Sequence, residues 1–110
     1  MTDWDVGYAR SEQAGTQVLA IRGEIDLSSA ARLAQELASL LADEGNVVRV
    51  DLSEVTFLDS SGVRELLAAN RQAVAAGTQL LLASPSASCR RVLEISGVWS
   101  EFVVEGTQRS

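Results

Sequence analysis

The sequence predicts an α/β fold: a mostly parallel central sheet with an N-terminal β-hairpin, in the order ββαβαβαβ. Three observations carry this. After residue 28 the apolar pattern switches repeatedly between a period of two and a period near 3.6. The short apolar runs are separated by amphipathic stretches long enough to serve as crossovers between parallel strands. Only the Gln13-Ala14-Gly15-Thr16 turn is short enough to join antiparallel neighbours. A length of 110 residues suits one hydrophobic core, so 1–110 is expected to be a single domain with its core at about 4–104 and a polar tail at 105–110.

Taking the elements in order, Trp4, Val6 and Tyr8 alternate with polar neighbours and predict the first strand. Val18-Leu19-Ala20-Ile21 predicts its hairpin partner. From Ser28 to about Leu41, the positions Ala30, Leu33, Ala34, Leu37 and Leu41 follow the spacing of a helix with one buried face. The β-branched run Val47-Val48-Arg49-Val50-Asp51-Leu52 reads as a central strand packed on both faces. Val63, Leu66, Leu67 and Val74 mark a second helix that Gly77 closes. The strand Gln79–Ala83 follows. Ser84-Pro85 reads as a helix cap followed by proline in the first helical position, with Cys89, Val92 and Leu93 as the buried stripe and Gly97 as the stop. Phe102-Val103-Val104 is the last expected strand. If the second, third and fourth strands are parallel, the loops near Asp26, Ser60 and Ser84 leave along one edge of the sheet.

Composition removes most chemistry. The chain has no His, and all nine basic residues are Arg. Serine or cysteine nucleophiles activated by His, Schiff-base lysines, P-loop lysines and Ser-Lys dyads are therefore excluded, and the chain is expected not to be an enzyme. Cys89 is the only cysteine; it allows no internal disulfide and reads as a buried core thiol, which fits a reducing, cytoplasmic compartment. Arg90-Arg91 reads as a solvated face and Trp99 as the edge of the core. A formal net charge of -6 disfavours nucleic acid and anionic membranes as partners and favours a basic patch on another protein. No apolar run approaches the ~20 residues that span a bilayer, and the Met1-Thr2-Asp3-Trp4 start lacks the features of a signal peptide.

The most distinctive stretch is Val55-Thr56-Phe57-Leu58-Asp59-Ser60-Ser61-Gly62-Val63, which places two hydroxyls at the mouth of the second helix. Together with Gly23-Glu24-Ile25-Asp26 upstream and Ile95-Ser96-Gly97-Val98 downstream, it resembles the STAS family, which includes bacterial anti-sigma factor antagonists. The resemblance runs from about Val6 to Val104. It implies that Ser60 is the residue phosphorylated by a partner that is both anti-sigma factor and serine kinase, and that Asp26, Asp59, Ser61 and Gly62 belong to the partner-binding surface. It also implies a serine phosphatase that resets the switch, ATP and Mg²⁺ held by the kinase, and no cofactor in this chain. The protomer is expected to be a monomer or weak dimer. Many members carry a further C-terminal helix, for which the residues after Val104 leave little room.

Without the resemblance, Asp59-Ser60-Ser61 reads as a plain helix cap and Asp26 as an acid favouring the first helix's positive end. Ser61 reads as structural. A phosphate on Ser60 is expected to sit on the unpaired N–H groups of the second helix without unfolding the domain. The alternative function is a non-phosphorylated STAS adaptor subunit of a membrane lipid transporter. A receiver-like Asp phosphoacceptor and a serine hydrolase both lack the groups they need.

Overall fold

The computed structural model describes residues 7–42 and 45–105; Trp4, Val6 and the tail from 106 lie outside the described residues. Five strands, β1 (Tyr8–Gln13), β2 (Thr16–Ile25), β3 (Val47–Leu58), β4 (Gln79–Ala83) and β5 (Val103–Glu105), lie side by side in sequence order. β1 is antiparallel to β2, and every later neighbour is parallel. Helices α1 (Leu27–Leu41), α2 (Ser60–Ala75) and α3 (Ala87–Ile95) make the crossovers, as expected from the alternating periods. The turn joining β1 to β2 is Ala14-Gly15, both residues with positive φ. That is the chemistry of a two-residue hairpin whose twist matches its strands.

One core unites sheet and helices. Leu19 and Ile21 of β2, Val48, Val50 and Leu52 of β3, and Leu80 and Leu82 of β4 meet Leu33, Leu37 and Leu40 of α1, Leu66 and Ala73 of α2, and Cys89 and Leu93 of α3. Burial pushes the Cys89 thiol pKa above its ordinary value, consistent with a packing role. α1 is further tied to β1 by Glu36, which accepts hydrogen bonds from Arg10 and Arg32. Burial raises the Glu36 pKa, but the two guanidinium groups outweigh it and hold the carboxyl below its usual range. Tyr8 lies under the Arg32 guanidinium, 5.1 Å from ring centroid to Cζ.

Four expectations need correction. β3 is packed fully on one face only, because Val47, Arg49 and Asp51 alternate with the buried valines and leucine and stay half-exposed, Arg49 reaching along the sheet to Glu105. α3 starts at Ala87 with Ser86 as its cap; Ser84, at φ 47, instead turns the chain at the end of β4. Val74 is 70% exposed. At roughly 100° per residue it stands about 80° from Leu66 around the helix, while position 73 lies within ~20°, so Ala73 takes the buried place. The last strand is Val103–Glu105, preceded by a 3₁₀ turn over Trp99–Glu101 that the sequence did not reveal. Asn70 holds that turn by donating from Nδ2 to the Glu101 carbonyl (3.0 Å).

Gly77 and Gly97 do close α2 and α3. In each case the following residue's N–H donates back to the last turn, Thr78 to Ala73 O (2.9 Å) and Val98 to Leu93 O (3.2 Å).

Ser86 also pins α3 to the sheet: its N–H donates to Leu52 O (3.2 Å), its hydroxyl to Val55 O (2.7 Å), and Cys89 N–H donates to its Oγ (3.2 Å). Replacing Ser86 with Ala removes a cap and leaves a carbonyl unpaired. A loss of about 2 kcal/mol in urea-unfolding free energy is the expected result.

Candidate functional site

The site forms where β2 and β3 end together. Register pairs Glu24 with Phe57 and Ile25 with Leu58, and the Asp59 N–H then donates to Ile25 O (3.1 Å). That bond is the next rung of a parallel ladder, so Asp26 and Asp59 stand side by side, both in extended backbone. One residue later each chain becomes a helix. Leu27 and Ser60 are therefore the first residues of two neighbouring helices. The sequence predicted that these loops share an edge; the paired aspartates were not foreseen.

Two bulges make this meeting possible. Between Ala20 and Arg22 and again between Gly23 and Glu24, β3 carries one residue more than β2. Its buried positions accordingly step from Val50 and Leu52 to Val55 and Leu58. Gly23, at φ +90, occupies left-handed backbone beside the second bulge, a conformation that disfavours any residue with a Cβ.

Both aspartates cap their helices. Asp59 Oδ1 accepts from the N–H groups of Ser61 (2.9 Å) and Gly62 (3.3 Å). Asp26 Oδ1 accepts from Ser28 N–H (3.0 Å), Ser28 Oγ (2.7 Å) and Ser29 N–H (3.3 Å), and Asp26 N–H donates to Ser29 Oγ (3.0 Å). The Ser28 hydroxyl, joined by the backbone N–H groups of Ser28 and Ser29 and the Ser29 hydroxyl, holds the Asp26 pKa below 3.8 against the opposing effect of desolvation. A depressed folded-state pKa gives stability that is present above about pH 4 and lost as pH falls through the folded value. Asp26→Asn, which caps without titrating, should flatten the acid limb below pH 3.8 in a series of urea midpoints against pH.

Ser60 is exposed, and its hydroxyl has no hydrogen-bond partner among the described residues. The capping that a bland reading would give to the serines is done by Asp59. This changes one expectation. Three of the first N–H groups of α2 are not open for a phosphate, because Ser61 and Gly62 donate to Asp59 Oδ1 and Val63 donates to Asp59 O (3.1 Å). Ser61 is half-buried and contributes its backbone N–H.

Gly62 is buried where α2 touches both strand ends. A Cβ there would lie 2.5 Å from Leu58 Cδ1 and 2.6 Å from Ile25 Cγ2. Its role is close approach, which brings the helix start against Leu58 and Ile25. Sequence reasoning missed Leu27 and Phe57, which are 77% and 48% exposed beside the two aspartates. For Leu27 the available signal was an apolar residue directly after a capping Asp; Phe57, two residues before Asp59, offered none.

Comparison with known proteins agrees with the geometry. A family model described as Mlab, STAS domain, matches residues 8–104. The chain is 32% identical over 92 residues to the anti-sigma-F factor antagonist RsfB of Mycobacterium tuberculosis, covering 84% of this chain and 75% of that protein. Among solved structures, an anti-sigma factor antagonist from Mycobacterium paratuberculosis superposes with a TM-score of 0.80 at 26% identity, covering 91% of this chain and 85% of that one. The anti-sigma factor antagonist SpoIIAA shares the fold at 21% identity in its unphosphorylated form, with a TM-score of 0.73 and coverage of 88% and 86%. Its phosphorylated form from Bacillus does so with a TM-score of 0.68 and coverage of 88% and 89%.

Proposed function

Since this chain belongs to the STAS domain family, we propose that it is an anti-sigma factor antagonist. With Ser60 unmodified it binds an anti-sigma factor that is also a serine kinase, so a sigma factor is released. The kinase transfers the γ-phosphoryl group of its ATP to Ser60 Oγ, the hydroxyl proton is lost and ADP leaves. The phosphorylated chain lets go. A serine phosphatase restores the hydroxyl by hydrolysis.

The observation that carries this reading is the state of Ser60. Its hydroxyl is exposed and unspent, at a helix start whose capping is done by a neighbour. With no His or Lys in the chain, no such side chain can make it a nucleophile, so it is acted upon. A phosphate of about -1.5 to -2 charge would join the carboxylates of Asp59 and Asp26. Because the Ser61, Gly62 and Val63 donors of the helix start are already bonded, much of that charge stays on the surface uncompensated and repels a partner fitted to a neutral hydroxyl. The relatives support the role: RsfB is an antagonist of this kind, and SpoIIAA keeps the fold in both phosphorylation states.

Incubating the chain with ATP, Mg²⁺ and the serine-kinase anti-sigma factors of its own organism, followed by intact mass and peptide mapping, tests the reading. One phosphate on Ser60 is expected, and none on Ser60→Ala. A chain that stays unmodified with every such kinase would overturn it and fit the transporter adaptor instead.

A further inference from the structure

The large apolar side chains left exposed among the described residues are Leu27, Phe57, Val74, Ile95 and Val103. Two of them flank Ser60, and the fold holds both outward. Leu27 is the first residue of α1, directly after the Asp26 cap, so it stands off the end of the sheet. Phe57 follows the last β4 pairing partner, Asp51, by six positions, so no strand covers its outer side. Alternation turns it away from buried Leu58. The ladder sets their spacing: Phe57 lies beside Glu24, and Leu27 occupies the place on its chain that Ser60 occupies on the neighbouring one. Glu24, Asp26 and Asp59 are interleaved with them.

Building on the function proposed above, we infer that Leu27 and Phe57 are the apolar anchors by which the anti-sigma factor grips this chain, on a face of its own that pairs apolar sockets with a basic rim. Charge complementarity selects that occupant, because the anchors are set among three carboxylates and a second copy of this acidic chain would bring like charge against them. Continuity with Ser60 makes the same choice. The anchors also sharpen the switch. Apolar groups that seat on a partner exclude water from the ground around them, and Ser60, level with Leu27 on the neighbouring chain segment, borders that ground. A charge appearing there must be desolvated as well as repelled, and its effect grows as the local dielectric falls.

The test is isothermal titration against the kinase identified by the phosphorylation assay, using Leu27→Ala, Phe57→Thr, Val74→Ala and Ser60→Asp. The first three sites are exposed, and urea midpoints confirm that each variant is folded. Leu27→Ala and Phe57→Thr are expected to weaken binding about ten-fold or more each, with Val74→Ala, near the end of α2, unchanged. If both bind like the parent while Ser60→Asp is weakened, the anchors are wrong and the switch stands. If Ser60→Asp binds like the parent and the two apolar variants are weakened, the anchors stand and the switch fails. If Val74→Ala weakens binding as much as either, the surface is not localised at the site and the inference falls.

Discussion

Ser60→Asp should weaken binding to the anti-sigma kinase at least ten-fold while leaving the far-UV circular dichroism unchanged. The substitution adds a third carboxylate next to Asp59, which itself stands beside Asp26. Two unit charges 4 Å apart interact by about 1 kcal/mol in water and about 4 kcal/mol at an effective dielectric near 20, so the penalty rises as a partner closes over them. Ten-fold in affinity requires only about 1.4 kcal/mol. The fold has no reason to suffer, since Ser60 is exposed and an acid in the first turn favours the helix dipole. Ser60→Ala separates the roles: it should bind as the parent does and be blind to ATP. Equal affinities for parent and Ser60→Asp would remove charge from the mechanism.

Gly62→Ala should cost stability, by about 1–3 kcal/mol net, although alanine is the better helix former. The propensity gain is about 1 kcal/mol. Against it stand two contacts far inside van der Waals distance, 2.5 Å to Leu58 and 2.6 Å to Ile25. Both neighbours are buried, at 2% and 0% exposure, and Ile25 is β-branched, so neither swings aside without disturbing the core. Relief comes from lifting the start of α2 off the strand ends. That carries Ser60 away from the strand ends, so partner affinity should fall with the urea midpoint. A variant as stable as the parent would show that the helix start has slack.

What the sequence made legible is periodic. Leu33, Leu37 and Leu41 announced α1; Gly77 and Gly97 announced their stops; Val47 to Leu52 announced the middle of the sheet. The second half of β3 was hidden because each bulge breaks the period of two, turning Val50, Leu52, Val55, Leu58 into a pattern no strand template matches. The cap of α3 was placed two residues early because Ser-Pro is a strong local signal, whereas Ser86 is selected by distant carbonyls on Leu52 and Val55. In the site, Asp26 and Asp59-Ser60 were found separately. Their pairing across one rung depends on a register that single-chain reading does not contain, and so does the placement of Leu27 beside Ser60.

The two supernumerary residues of β3 make its length a setting rather than a tolerance. Deleting one residue between Ser53 and Thr56 would act as a frameshift in space. The strand downstream would rotate by half a period, sending Leu58 toward solvent and Phe57 toward the core, and Asp59 would arrive one rung early, opposite Ile25. Helices could still pack, yet the two helix starts would no longer be level. Variation in chain length should therefore be absorbed elsewhere, as at the connection before Val47, while the stretch from Asp51 to Gly62 keeps its count wherever the two aspartates must meet.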